Sequence, residues 1–275
     1  MSSDENKRIN REKRGQITPE DLKPYSNFPD TYLIELLDDD YPKKRTISAT
    51  LLGRRQIISA VIPLASALKY EKALYSRIAI SKALSEIGEP SIDPLIDLLG
   101  EIGNNQETEL PQKYFNKKSY PLVRDMAART LVKIGKPATL PLIRILKDED
   151  SFKVQQAIDA VGGIAAKTSD ERGLKSLISI LQSYWEGHDK VTSWKIVRAL
   201  GGFRNCEDAT GPLLMVIEYA REAEDDFPIV WESVRSLGQI GVENSQIMNL
   251  LLELSHHQNS EISKASKIAM KQFDN

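Results

Sequence analysis

Two stretches of this chain are written on one pattern: LSEIGEPSIDPLIDLLGEIG from Leu84 to Gly103, and LVKIGKPATLPLIRILKDED from Leu131 to Asp150. The apolar residues and a Gly-x-Pro turn keep their places while nearly every other letter changes. Such self-similarity marks a unit that cannot bury its own apolar stripe and must stack on its neighbours. The retained letters are then the stacking surface, and the variable ones face water.

Aligned on one leucine-like position, the pattern recurs at Leu52, Leu84, Leu131, Val161, Leu200 and Leu237, at spacings of 32, 47, 30, 39 and 37 residues. Each unit then turns into a second apolar pattern such as PLIDLL or PLIRIL. Both halves carry apolar residues at i, i+3, i+4 and i+7, the helical period, and no stretch alternates as a strand would. Gly88 and Gly135 sit where helices end, and Pro90 and Pro137 follow, where a new helix can begin but the old one cannot continue. The expectation is an all-α chain, a right-handed α-solenoid (an α-α superhelix) of about six helix pairs.

The IG-x-P turn, the PLI-x-LL helix, the acidic turn KDED (Lys147 to Asp150), and the SR-x-A and VR-x-MA helix starts at Arg77 and Arg124 resemble the HEAT-like repeats, including the short bacterial and archaeal type of phycobilin lyases. The resemblance covers about residues 30–273 and departs from the family in two ways. An insertion from Glu107 to Tyr120 stretches one period to 47, and the last three units lack the Arg at the helix start. The resemblance implies that the second helix of each pair lines a concave groove.

Residues 1–29 are charged and polar, spaced by Pro19, Pro24 and Pro29, and are expected to be a flexible lead-in. Residues 30–273 are expected to be one solenoid, with an inserted loop at about 104–120. The formal charge of −2, from 37 basic and 39 acidic residues, gives no global field toward nucleic acid or an anionic membrane. The most apolar uncharged run, Ile57 to Leu68, is short of the roughly 20 residues a bilayer span needs. The single Cys206 and the absence of a signal-peptide core in MSSDENKRINREKRG point to a reducing, cytoplasmic setting, and nothing in the repeats calls for more than a monomer.

Chemistry is harder to find. His256 and His257 are adjacent, so they point about 100° apart on a helix, and His188 lies in a polar linker. No His-Glu pair of the kind that HEAT-like deoxyhypusine hydroxylases use for iron is present. Cys206 has no histidine near it in sequence, and Gly162 and Gly201 sit in a helical register that suits close packing better than a phosphate loop. The reading assigns no catalytic residue, no metal ligand and no cofactor.

Two registers carry a binding signal. With the aligned leucine at 0° and 100° per residue, the position two before it lies near 160°, facing solvent. It holds Lys82, Arg129, Asp159, Arg198 and Arg235, four basic residues of five, a stripe suited to an acidic segment. The position six before holds Trp194 and Trp231 in the later units, so Trp194 shares a face with Arg198 and Trp231 with Arg235. Indole beside guanidinium is the pairing of interface hot spots; buried packing between helices is the competing reading. The acidic turns Asp38 to Asp40, Asp148 to Asp150 and Glu224 to Asp226 suit helix N-termini.

The functional expectation is a non-enzymatic scaffold or adaptor binding a protein partner, an acidic segment or exposed peptide, through Lys82, Arg129, Trp194, Arg198, Trp231 and Arg235. The repeat subtype implies an alternative, a bilin lyase or chromoprotein-maturation subunit. The third is an alkylpurine DNA glycosylase type of enzyme, a HEAT-like family that uses concave Trp, Arg and Asp residues. Against it stands the near-neutral charge, since a duplex binder neutralises many phosphates.

Overall fold

The computed structural model describes residues 3–102, 107–111, 113, 120–186 and 189–273. Among them the α-helices, in chain order, are α1 (Ser3–Lys13), α2 (Pro19–Leu22), α3 (Asp30–Glu35), α4 (Pro42–Arg54), α5 (Val61–Tyr70), α6 (Leu74–Ile87), α7 (Ile92–Asp97) and α8 (Met126–Ile134). There follow α9 (Thr139–Ile145), α10 (Ser151–Thr168), α11 (Leu174–Glu186), α12 (Lys190–Leu200), α13 (Thr210–Ala220), α14 (Phe227–Ile240), α15 (Ser245–Leu254) and α16 (Ser260–Phe273), and no strand occurs among the described residues.

The chain divides into two compact units: Met1–Asn104 with Asp125–Ile134, and Asn105–Arg124 with Gly135–Asn275. In the first, α3/α4, α5/α6 and α7/α8 form helix pairs, and the second helices stack in the order α4, α6, α8. In the second, α9/α10, α11/α12, α13/α14 and α15/α16 pair, and α10, α12, α14 and α16 stack. Each unit is thus an α-solenoid built by the rule read in the sequence, and among the described residues the repeats resolve into seven pairs. All six aligned residues fall on second helices, and all six are buried.

Local chemistry sets the boundaries. Gly88 and Gly135 follow α6 and α8 at φ of 83° and 85°, a region that costs an L side chain energy and glycine almost none. Asp150 accepts hydrogen bonds from the Phe152 and Lys153 amides at 2.9 and 3.2 Å and so starts α10. Asp189 does the same for Thr192 of α12 at 3.0 Å, and Asn244 for Ile247 of α15 at 2.9 Å.

The residue after the aligned leucine decides how closely second helices approach. A Cβ on Gly53 of α4 would stand 2.6 Å from the Cα of Ala83 on α6; on Gly162 of α10, 2.6 Å from Ala199 Cα on α12; and on Gly238 of α14, 2.9 Å from Ala269 Cα on α16. Glycine facing a small residue brings these backbones together, as it does wherever helices cross tightly.

Within residues 1–29, the part from 14 onward makes packed contacts: Leu22 is buried, the Tyr75 amide donates to Arg14 O at 3.0 Å, and Arg55 donates to Phe28 O and Ser26 O at 2.8 and 2.7 Å. The Arg55 side chain, just past the end of α4, satisfies backbone carbonyls that a charged, proline-spaced sequence by itself leaves to water.

Candidate functional site

The polar register of the second unit is buried. Trp194, Trp231 and Arg235 are each 1% exposed and Arg198 is 5% exposed, so of the two readings open for the tryptophans the packed one describes them, and Arg198 and Arg235 do not face solvent. Second helices α10, α12 and α14 flank one another, first helices cover another side, and the remaining side carries part of the insertion. Of the residues in that insertion, Glu107 to Pro111, Lys113 and Tyr120 are described, while Tyr114 and Phe115 lie outside the described residues.

Glu107 is the centre of the arrangement. Lys195 Nζ lies 2.7 Å from Glu107 Oε2 and 2.7 Å from Asp159 Oδ2. Arg198 reaches Glu107 Oε1 through Nη1 at 3.1 Å and Asp159 Oδ1 through Nη2 at 2.6 Å. Arg124, exposed, adds a contact to Glu107 Oε1 at 3.3 Å. The Arg198 guanidinium lies over the Trp194 indole, 4.3 Å from its centroid, so the i, i+4 pairing read in the sequence is present, but as cation–π packing in the interior. Tyr120 donates from its hydroxyl to Asp159 O at 3.4 Å. On α14, Arg235 Nε donates to Glu232 Oε1 at 3.0 Å, and both side chains are buried.

The electrostatics follow from burial and pairing. Burial by itself raises the Glu107 pKa, but the charges of Arg198 and Lys195 and their hydrogen bonds outweigh it and bring it down to about 2. Burial by itself would lower the Arg198 pKa, and the charges of Asp159 and Glu107 outweigh it, so the guanidinium stays protonated. Burial, with the Asp159 charge, holds the Tyr120 phenol well above its ordinary range.

A carboxylate whose folded pKa lies below its unfolded value of about 4.3 stabilises the fold above that value and loses the contribution as pH falls toward the folded one. Acidification is therefore expected to loosen the second unit between about pH 4 and pH 2, seen as a red shift of tryptophan emission. Glu107→Gln should flatten the transition. A wild-type transition complete above pH 5 would contradict the pairing.

Several buried polar atoms of these helices have no hydrogen-bonding partner among the described residues: Gln155 Oε1, Ser193 Oγ, Trp194 Nε1, Glu232 Oε2 and Ser236 Oγ. These atoms make the layer polar as well as charged. Beside it Glu109 and Leu110 line, with Phe227, Pro228 and Trp231, an open recess of about 470 Å³.

In the first unit the basic register stays accessible. Lys82 is exposed, with Glu86 at 3.5 Å, and Arg129 is half-buried. Among the described residues no three His, Cys, Asp or Glu side chains converge as a metal site, and no helix is long and apolar enough to cross a membrane. His257 packs edge-on against Phe227 at 5.3 Å, Cys206 sits in a turn with its thiol pKa raised by burial, and His188 lies outside the described residues.

The position five before the aligned leucine is the signal the sequence reading passed over. It is Ile47, Ala79 and Met126 in the first three units, then Gln156, Lys195 and Glu232. Lys195 with Arg198 and Glu232 with Arg235 are i, i+3 pairs of charged residues, where the earlier units carry apolar side chains at the first position.

No protein-family model matches the chain, and no curated protein matches its sequence. Among solved structures it is similar to an engineered protein at 17% identity and TM-score 0.44, covering 97% of this chain and 73% of that one. It is also similar to human deoxyhypusine hydroxylase in complex with glycerol, at 15% identity and TM-score 0.36, covering 97% and 95%. A third is a computationally designed armadillo repeat protein for modular peptide recognition, at 16% identity and TM-score 0.40, covering 89% and 100%. The helix pairs themselves establish the architecture. This is an all-α protein of stacked helix pairs.

Proposed function

We propose that this chain is a protein-binding scaffold or adaptor, whose second-helix layer takes an extended, acidic segment of a partner. One observation carries this reading. In the second unit that layer already holds a carboxylate from outside the helices, Glu107, seated between Lys195 and Arg198 at 2.7 and 3.1 Å. Opposite charge on a polar layer gives a partner register and encounter rate, while the packed helices supply a rigid frame. The glycosylase reading loses its footing, because the Trp and Arg side chains it would use are enclosed by protein.

Lys82 of the same register is exposed in the first unit, so the test belongs there. Affinity capture from native extract is run with the wild type and with Lys82→Glu, whose exposed side chain can reverse charge without opening the core. The expected result is a protein recovered by the wild type and reduced about ten-fold with the variant, as the loss of roughly 1.4 kcal/mol of electrostatic attraction would give. Equal recovery by both forms takes the partner off this register. No specific recovery by the wild type removes the scaffold reading.

A further inference from the structure

We propose that the cleft between the first helices α11 and α13 of the second unit is a docking groove for an extended, proline-rich segment that carries a basic residue. Two recesses, of about 300 and 440 Å³, meet in this cleft, and Trp185, Glu186 and Tyr219 line both. Met215, in the first recess, is 44% exposed and Tyr219 is 74% exposed, while Trp185 is half-buried. Aromatic residues and Met are the types that concentrate at the centre of protein interfaces. The walls are first helices, so the groove is distinct from the second-helix register of the scaffold reading.

The hydrogen-bonding groups of the groove and its charge identify the occupant. Ser193 lines the second recess at 1% exposure, and its Oγ has no hydrogen-bonding partner among the described residues. Burial, with the Asp189 charge, raises the pKa of Tyr184 in the same recess, so its phenol keeps a proton to donate. Trp185 adds an indole N–H, a donor only. Donors of this kind call for a ligand with free carbonyl groups. A helix spends its carbonyls internally, and an added strand needs a sheet edge, which does not occur among the described residues. A polyproline II segment has no internal hydrogen bonds, leaves its carbonyls outward, and docks in grooves lined by aromatic rings. The charge supplies the second requirement. Lys190 Nζ is held by Asp226 Oδ1 at 2.8 Å, whereas Glu186, where the recesses meet, receives the neutral Gln182 amide at 2.9 Å. Among the described residues no cation pairs with Glu186, and an Arg or Lys of the ligand fills that place.

A phage-displayed random peptide library is selected on the full-length protein. Enriched peptides are then titrated by fluorescence anisotropy against wild type, Trp185→Ala, Tyr219→Ala and Glu186→Lys, with helicity checked for each. The expected result is enrichment of peptides with spaced prolines and at least one Arg or Lys. Trp185→Ala and Tyr219→Ala should each weaken them about ten-fold, as loss of an aromatic anchor does. Glu186→Lys should weaken them about three-fold and reduce the salt dependence of binding. Tyr219 and Glu186 are exposed, so those two variants decide the outcome should Trp185→Ala fail to fold. Selection without enrichment, enrichment of peptides that lack proline or a basic residue, or an affinity left unchanged by any folded variant overturns the proposal. The selection needs no natural partner and Lys82 belongs to the other unit, so its outcome is separate from the capture test.

Discussion

Asp159→Ala is expected to destabilise the second unit by about 3 to 5 kcal/mol, the usual cost of breaking a buried ion pair by removing one partner. Asp159 Oδ2 is 2.7 Å from Lys195 Nζ and its Oδ1 is 2.6 Å from Arg198 Nη2. Lys195 is fully buried, so water cannot replace the lost carboxylate. Glu107 would remain as the one anion of the cluster facing both cations, and it is held by a segment rather than a helix. All three tryptophans, Trp185, Trp194 and Trp231, lie in the second unit, so urea unfolding followed by their emission reports this unit alone. Asp159→Asn keeps the shape and the hydrogen-bonding oxygen and should recover part of the loss. A midpoint unchanged by Asp159→Ala would mean that the cluster contributes nothing to holding α10 and α12 together.

Gly162→Ala should cost a net 2 kcal/mol or so, although alanine is the better helix former by about 1 kcal/mol. The new Cβ would stand 2.6 Å from Ala199 Cα and 2.2 Å from Tyr120 Oη. The first obstacle is backbone, so α10 and α12 must move apart, and overpacking of this kind costs typically 1 to 3 kcal/mol, with a backbone obstacle at the upper end. Tyr120 must move too, which loosens the segment that carries Glu107. Gly238→Ala is the control. One of its close atoms is the flexible end of Gln272, and its backbone neighbour stands farther off, 2.9 Å at Ala269 Cα, so its melting midpoint should fall by less. Equal shifts in the two variants would show that helix spacing at Gly162 is not the constraint.

These two residues also show how far the sequence could be read. Gly162 is legible: it follows the aligned Val161, its helical register suits close packing, and the small residue it faces, Ala199, precedes the aligned Leu200. The same holds for Gly53 against Ala83. Asp159 was half legible. Its register is legible, as the one acid in a stripe of bases, but its burial together with Arg198 and Arg235 is not. Lys195 and Glu232, five before the aligned leucine, were there to be noticed as charges in a column that is apolar in the first three units. Glu107 could not have been placed, since nothing in ELPQKYFNKKSY or the residues around it says which surface the insertion covers.

The sequence by itself determined the helices, their pairing and the turns at Gly88 and Gly135. Those depend on a period of 3.6 residues and on the backbone freedom of single residues, both of which are local. It took packing in three dimensions to enclose the polar register of the second unit while leaving Lys82 of the first exposed. Whether a side chain at 160° from the core meets water depends on what else the chain lays over it, and here that is a carboxylate some 90 residues away in sequence.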